Sequence, residues 1–120
     1  MAHVESKAAM RSCIDACQSC HEVCLETITH CLSMGGEHVE AEHMRTLADC
    51  AQICGTSADF MLRGSSSHPD VCDVCADICD ECAESCEALE GAEMKRCADQ
   101  CRRCAESCRE MAKMGASASV

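Results

Sequence analysis

Residues 13–24 read CIDACQSCHEVC, so that cysteines at positions 13, 17, 20 and 24 are separated by steps of four, three and four. Alternating steps of three and four are the spacing of residues that share one face of an α-helix. The same spacing recurs in three later segments, and together the four segments contain all 16 cysteines of the chain. The sequence therefore predicts four helices, each with a cysteine-bearing face.

These four faces have the spacing of the buried seam in a helix bundle, and the opposite faces carry Asp, Glu, Arg, Lys and Gln. The seam residues are Met10, Cys13, Cys17, Cys20, Cys24, Thr27, Cys31 and Met34 in the first segment; His43, Leu47, Cys50, Cys54, Ser57 and Met61 in the second; Cys72, Cys75, Cys79, Cys82, Cys86 and Leu89 in the third; and Met94, Cys97, Cys101, Cys104, Cys108 and Met111 in the fourth.

Three interruptions separate the segments: Gly35-Gly36, the stretch GSSSHPD at 64–70, and Gly91. Short connections between helices imply antiparallel neighbours. We therefore predict an all-α protein, an antiparallel up-down-up-down four-helix bundle with a cysteine-lined core. The prediction is one metal-binding domain over 1–120, with helices at about 5–34, 37–63, 69–90 and 92–114.

The composition explains why the cysteines are needed. Leu, Ile, Val and Phe together contribute only 16 of 120 residues, and the net charge is −11. Such a composition is usually typical of disorder. Buried thiols behave as small hydrophobic groups, but a core made of them alone would be poorly stabilised. Something else is therefore expected to fill the interior.

Several classes of protein are disfavoured. The segment MAHVESKAAMRS has no features of an export signal, and no apolar stretch approaches the roughly 18 residues of a membrane span, so we expect a cytoplasmic protein. In the cytoplasm thiols stay reduced, which favours metal or redox chemistry over disulfides. The acidic balance argues against nucleic acid as a partner. No nucleophile–base pair stands out, so we do not expect an enzyme.

The thiol spacing suggests soft-metal binding, because cysteines four residues apart on a helix are neighbours. Seven CxxxC pairs occur: Cys13/Cys17, Cys20/Cys24, Cys50/Cys54, Cys75/Cys79, Cys82/Cys86, Cys97/Cys101 and Cys104/Cys108. Cys31 and Cys72 are left over and need a partner from another helix or another residue type. Thiolates select Cu(I), and if each sulfur bridges two ions the capacity is about one copper per cysteine, roughly sixteen.

Two other interpretations of the cysteines remain open. The first is a zinc-binding module, in which four thiolates hold each ion and the chain binds at most about four ions. The second is a thiol redox sensor that uses CxxC pairs such as CQSC and CRRC. Methionines at seam positions are usually plain core. Among the histidines, only His43 lies on the seam, which makes it the candidate histidine ligand.

The set of seven CxxxC pairs on four helices, with few aromatic residues, resembles the bacterial copper storage proteins over about residues 5–114, and specifically their cytosolic branch. The resemblance implies storage of many Cu(I) ions along the bundle axis for copper homeostasis and detoxification. It also implies that the sixteen seam cysteines and His43 are ligands and that the assembly is a homotetramer. A copper chaperone or a low-molecular-weight thiol would be the donor or acceptor. Ile14, Leu25, Ile28 and Leu32 lie off the cysteine stripe, and they are candidates either for a contact between chains or for positions that flank the core.

Overall fold

Four helices account for most of the chain in the computed structural model, which describes the backbone of residues 2–114 and the side chains of residues 7–114. They are α1 (Ala2–Met34), α2 (Ala41–Leu62), α3 (His68–Glu87) and α4 (Ala92–Met114), and a 3₁₀ turn (Gly36–Val39) precedes α2. Each helix contacts the next, and α4 also contacts α1, which closes a ring of four. The described residues contain no strand. The four-helix bundle predicted from the spacing is therefore confirmed.

Three helix boundaries differ from the prediction by three residues or more. The first helix begins at Ala2 rather than near residue 5. The second helix begins at Ala41 rather than near residue 37, because Gly35 and Gly36 have positive φ angles and Glu40 is extended, with φ −58° and ψ 137°. The third helix ends at Glu87 rather than near residue 90. There the Leu89 N–H turns back to the Cys86 carbonyl at 3.1 Å, a tightened last turn that closes the helix before Gly91.

The start of α3 follows from its sequence. Ser67 is the N-cap, and Pro69 lies in the first turn, where its missing N–H costs no hydrogen bond. The Val71 N–H reaches back to the Ser67 carbonyl at 3.3 Å. The stretch GSSSHPD, predicted to interrupt the helical segments, therefore separates α2 from α3, and its last three residues form the start of α3.

Alanines allow the helices to lie close together. Each of α2, α3 and α4 has two nearly inaccessible alanines seven residues apart, which places them one above the other on the same face. They are Ala51 and Ala58, Ala76 and Ala83, and Ala98 and Ala105. Beside them lie the cysteines, and the largest fully buried side chains include Leu47, Met94 and Met111. The core is therefore built from small groups at close separation.

Ion pairs on the surface join α3 to α4. Arg102 contacts Asp80 at 3.1 Å and Glu87 at 2.8 Å, and Arg109 contacts Asp80 at 2.6 Å. Such exposed pairs contribute little individually, about 0–1 kcal/mol. They join the outer surfaces of α3 and α4 beside the buried cysteine faces of these two helices. None of the helices within residues 2–114 has the length and apolar character needed to cross a membrane.

The close approach of the helices gives a first prediction. Replacing Ala83, which is fully buried, with leucine is expected to lower the free energy of unfolding of the reduced apoprotein by about 1–3 kcal/mol, because the added atoms overfill a close-packed interface. Denaturant titration followed by circular dichroism measures the loss. The matched control is Ala48→Leu at an exposed position in the middle of α2, which should change stability by less than about 0.5 kcal/mol. Equal effects of the two substitutions would contradict this description of the core.

Candidate metal centre

All sixteen cysteines are free and fully buried. Each helix contributes its cysteine stripe to the interior, so the sulfur atoms of four helices gather along the bundle axis. The prediction that every thiol points inward is confirmed. Two noncysteine seam residues of α2, Leu47 and Ser57, are fully buried beside them.

The shortest sulfur–sulfur contacts run between helices. Cys54 Sγ of α2 lies 3.5 Å from Cys79 Sγ of α3. On the other side of the bundle, Cys17 Sγ of α1 lies 3.6 Å from both Cys104 Sγ and Cys108 Sγ of α4. These distances are contacts between thiols and not S–S bonds, so the bundle is not closed by disulfides at any of the described cysteines.

Most CxxxC pairs bring their two sulfurs close together, as residues four apart on a helix should. Cys20 and Cys24 lie 4.0 Å apart and Cys75 and Cys79 lie 3.9 Å apart, and three further pairs lie within 4.8 Å: Cys50/Cys54, Cys97/Cys101 and Cys104/Cys108. Cys20 also lies 3.8 Å from Cys101 on α4 and 3.9 Å from Cys50 on α2. Pairs within one helix and contacts across the axis therefore both bring sulfurs together in the core.

Groups of four sulfurs lie with all their sulfur atoms within 4.8 Å of one another, and five of these groups form a series in which each draws on three helices. In order along the axis they are Cys24–Cys82–Cys97–Cys101, Cys20–Cys24–Cys50–Cys101, Cys20–Cys50–Cys54–Cys79, Cys54–Cys75–Cys79–Cys104 and Cys17–Cys75–Cys104–Cys108. Each group has two sulfurs in common with the next. We call this series the shared-sulfur chain, and its sites cannot be assigned separate sets of ligands.

One end of the axis combines different donors. Cys31, one of the two cysteines outside the CxxxC pairs, lies with its Sγ 3.5 Å from His43 Nε2 and 3.9 Å from Met94 Sδ. His43 is 5% exposed and lines an open cleft of ≈290 Å³ together with Ser85 and three glutamates, Glu37, Glu40 and Glu42. The thiol core therefore meets the surface through an imidazole at this end.

At the opposite end, Cys72 is the other cysteine outside the pairs, and its Sγ lies 3.4 Å from Ser57 Oγ. The seam continues there with Met61 and Met111, which are 2% and 0% exposed. His68, 1% exposed, is buried near them in the first turn of α3, and burial lowers its pKa. Large apolar side chains therefore cover the core at this end.

Burial sets the protonation of the site. Loss of solvent, followed by repulsion from the Cys97 and Cys82 thiolates, raises the pKa of Cys31, and loss of solvent lowers the pKa of His43, so that near neutral pH the imidazole is uncharged. In the middle of the core the contact between Cys20 and Cys101 lowers the pKa of Cys20 and raises that of Cys101. One thiolate is therefore stabilised only where its neighbours stay protonated.

No positive side chain compensates for thiolates inside the bundle. The buried polar residues among those described are Thr27, His43, Ser57, His68 and Gln100, with no lysine or arginine. A dry core cannot hold many thiolate charges without partners. The whole set of thiols can ionise only if cations enter, one positive charge for each proton that leaves.

Some seam or candidate residues lie elsewhere than predicted. Met34 was placed on the seam but is 56% exposed, because it is the last residue of α1 and the chain turns away at Gly35. Of the two alternatives for Ile14, a contact between chains or a position flanking the core, the structure favours the second, because Ile14 is buried in the core. His21, left out as a ligand, donates from Nδ1 to the Ala51 carbonyl at 2.6 Å and so joins α1 to α2.

Ser85, whose Oγ lies 2.6 Å from His43 Nδ1, was not predicted to belong to the site. Ser85 is on α3 but off the cysteine stripe, so spacing gave no reason to associate it with the metal centre. Ser85 lies in the sequence CAESC at 82–86, which recurs at 104–108. The repeat shows that the two segments are similar, but it does not indicate which residues contact His43.

Known proteins share this arrangement. Residues 6–113 match the sequence model of the copper storage protein family. A solved protein of Nitrosospira multiformis is 52% identical, with a TM-score of 0.87 over 90% of this chain and 98% of that one. The Cu(I)-bound copper storage protein BsCsp3 is 34% identical, with a TM-score of 0.82 over 87% of this chain and 98% of that one.

Two further relatives are more distant or match over a shorter region. A cytosolic copper storage protein of Streptomyces lividans, solved during copper loading with five coppers, is 28% identical, with a TM-score of 0.83 over 90% of this chain and 95% of that one. The cysteine-rich protein YhjQ of Bacillus subtilis is 35% identical over 65 residues, which span 54% of this chain and 60% of YhjQ. With the family match covering nearly all of the described residues, the chain belongs to the copper storage protein family.

Proposed function

We propose that this protein is a high-capacity store for Cu(I), which it sequesters reversibly through thiolates inside the bundle and without catalytic turnover. The observation that carries the proposal is the shared-sulfur chain in a core with no buried lysine or arginine among the described residues. The four helices act as one metal-binding domain. The predicted domain limits, 1–120, include residue 1 and residues 115–120, which lie outside the described part of the chain.

Charge distinguishes Cu(I) from zinc in this core. Each Cu⁺ that replaces a thiol proton leaves the charge of the interior unchanged. The core can therefore take up many Cu⁺ ions without an increasing electrostatic cost. A zinc ion with four thiolates is instead a dianionic site, and no buried cation is available among the described residues to offset it. The shared sulfurs also disfavour zinc, because thiolates that belong to two groups suit ions that accept bridging ligands at low coordination number.

The thiol redox alternative requires an accessible thiolate, since exposed cysteines of lowered pKa are the reactive ones. All sixteen cysteines are fully buried, which favours storage over exchange with external thiols or oxidants. Copper exchange needs only one accessible ligand at the end of the core, whereas a redox sensor needs the reactive sulfur itself to be reachable.

We assign the sixteen cysteines and His43 as the copper ligands. His43 is the donor nearest the open cleft, and Cys31 lies directly behind it at 3.5 Å. Imidazole is an adequate ligand for copper, so this pair is suited to pass ions between the cleft and the thiols. A copper chaperone or a low-molecular-weight thiol in the cytosol would deliver or collect the ions, and the role would be copper homeostasis and detoxification.

We further propose a homotetramer, as the family resemblance implies. With Ile14 buried, the remaining off-stripe candidates on α1 are Leu25 and Leu32, 47% and 64% exposed, and Ile28, which is partly buried. Their spacing of three and four places them on one face of the helix. A stripe of exposed apolar side chains on a chain of net charge −11 is typical of a surface that another chain covers.

The copper count tests the storage function. Anaerobic titration of the reduced protein with Cu(I), followed by native mass spectrometry, is expected to saturate at about one ion per cysteine, near sixteen, because the sulfurs are shared. Parallel titration with Zn²⁺ should stop at about four ions, and Cu(I) should displace them. Saturation at four Cu(I) ions or fewer would contradict the proposal.

The burial of the thiols predicts their reactivity. Iodoacetamide is expected to alkylate the folded, reduced apoprotein slowly at every cysteine, because no sulfur is exposed. In guanidinium chloride all sixteen should react rapidly, which serves as the control for reduced thiols. Mass spectrometry of digests measures each position, and one or two cysteines that react much faster than the rest in the folded protein would support the redox sensor instead.

The proposed interface predicts the assembly of a surface variant. Leu25→Glu combined with Leu32→Glu should convert the tetramer to smaller species, because two carboxylates would have to be buried at the contact. Light scattering coupled to size-exclusion chromatography measures the mass. Leu62→Glu, at an exposed position of 53% on α2, is the matched control and should leave the tetramer intact. A wild-type protein that is monomeric at micromolar concentration would overturn this part of the proposal.

A further inference from the structure

The imidazole of His43 is held from both sides by side chains of two other helices. Its Nδ1 lies 2.6 Å from Ser85 Oγ on α3, and its Nε2 lies 3.5 Å from Cys31 Sγ on α1. His43 itself belongs to α2. One ring nitrogen therefore faces the hydroxyl in the cleft wall, while the other faces the first thiol of the core.

The two nitrogens of a neutral imidazole have opposite roles, since one carries a hydrogen and the other a lone pair. A soft cation can bind at Nε2 only when the hydrogen is on Nδ1. The same tautomer lets the Cys31 thiol donate to Nε2 before any metal arrives. The position of a single proton therefore decides whether the lone pair of His43 points toward the core or toward the cleft.

The Ser85 hydroxyl lies where it can stabilise the tautomer with the hydrogen on Nδ1. As an acceptor, its hydroxyl oxygen receives the hydrogen of Nδ1, and its own hydrogen can point into the open cleft that Ser85 lines. Ligands of this type commonly donate their second ring N–H to a neighbouring group, which fixes both the tautomer and the ring orientation.

We propose that Ser85 is a positioning residue for copper transfer, which holds His43 as its Nδ1–H tautomer with Nε2 directed at Cys31. This inference rests on the proposed storage function. The hydrogen bond given for the Ser85 hydroxyl is to His43 Nδ1 and not to a thiol, and we do not propose Ser85 as a ligand. Its loss should therefore change how fast ions pass His43 and leave unchanged how many the core holds.

The chain contains a matched control for this residue. Ser85 lies in the sequence CAESC at 82–86, and Ser107 lies in an identical CAESC at 104–108 on α4. Both serines are half-buried and both line a cleft, but the cleft beside Ser107 has no histidine among its lining residues. Replacing either serine with alanine removes the same hydroxyl from the same local sequence.

The first test needs no copper. Long-range ¹H–¹⁵N correlation spectra of the apoprotein identify the tautomer of each histidine from the shifts of its ring nitrogens. His43 should be in the Nδ1–H form in the wild type, in Ser107→Ala and in Ser85→Thr, which keeps the hydroxyl. In Ser85→Ala the ring should shift to a mixture or to the Nε2–H form. An unchanged tautomer in Ser85→Ala would overturn the inference.

The second test measures transfer. Cu(I) is presented as its bathocuproine disulfonate complex, and the loss of the absorbance of the complex gives the rate of loading. Ser85→Ala should load about tenfold more slowly than Ser107→Ala, in line with the effect of removing such supporting groups. Both variants should reach the wild-type copper count. In a His43→Ala background, Ser85→Ala should cause no further slowing.

The outcomes separate the two proposals. A wild-type protein that takes up four ions or fewer would remove the storage function and this inference with it. Normal capacity together with equal rates for Ser85→Ala and Ser107→Ala would overturn only the role of Ser85. Slower loading that persists when His43 is already replaced would also overturn it, because the hydroxyl would then act through some other group.

Discussion

The constraint on which the structure depends is that thiols brought together in a dry interior cannot ionise as a set. Water is excluded from all sixteen, and no buried lysine or arginine among the described residues supplies positive charge. The opposite shifts of the Cys20 and Cys101 pKa values express this constraint, because the thiolate of one is stabilised by the proton of the other. A monovalent soft cation removes the conflict, since it replaces a proton with equal charge and is attracted to sulfur.

The same constraint accounts for the unusual core. Leucine-sized side chains would separate the helices and move facing sulfurs out of reach of one another. The repeated alanines, such as Ala76 and Ala83 in α3, keep the helices close enough that Cys54 and Cys79 approach to 3.5 Å. The cost is a core with little apolar surface, in which thiols contribute less hydrophobic stabilisation than larger residues would. Metal ions that cross-link the four helices would compensate for the hydrophobic stabilisation that the small side chains do not provide.

Much of the architecture could be predicted from the sequence, because the three-and-four spacing fixes which face of each helix is inward. That spacing placed every cysteine correctly and identified Cys31 and Cys72 as residues that need other partners. It could not give the contacts across the axis, because the rotation and height of one helix relative to another are set by packing and not by spacing. Ser85 was missed for a related reason: its contact with His43 joins two helices through a residue off the stripe. The early end of α3 depends on the hydrogen bond of the last turn, which the sequence does not indicate.

The overlap within the shared-sulfur chain has a consequence for how a store of this kind fills and empties. Successive groups have two sulfurs in common, so an ion that moves from one group to the next would exchange two of its four neighbouring sulfurs and keep the other two. A copper ion could then move along the axis in small steps and remain bound to at least two sulfurs at each step. Met61 and Met111 are buried at the far end, whereas His43 lines an open cleft at the other, so ions that enter beside His43 would reach the successive groups in order along the axis.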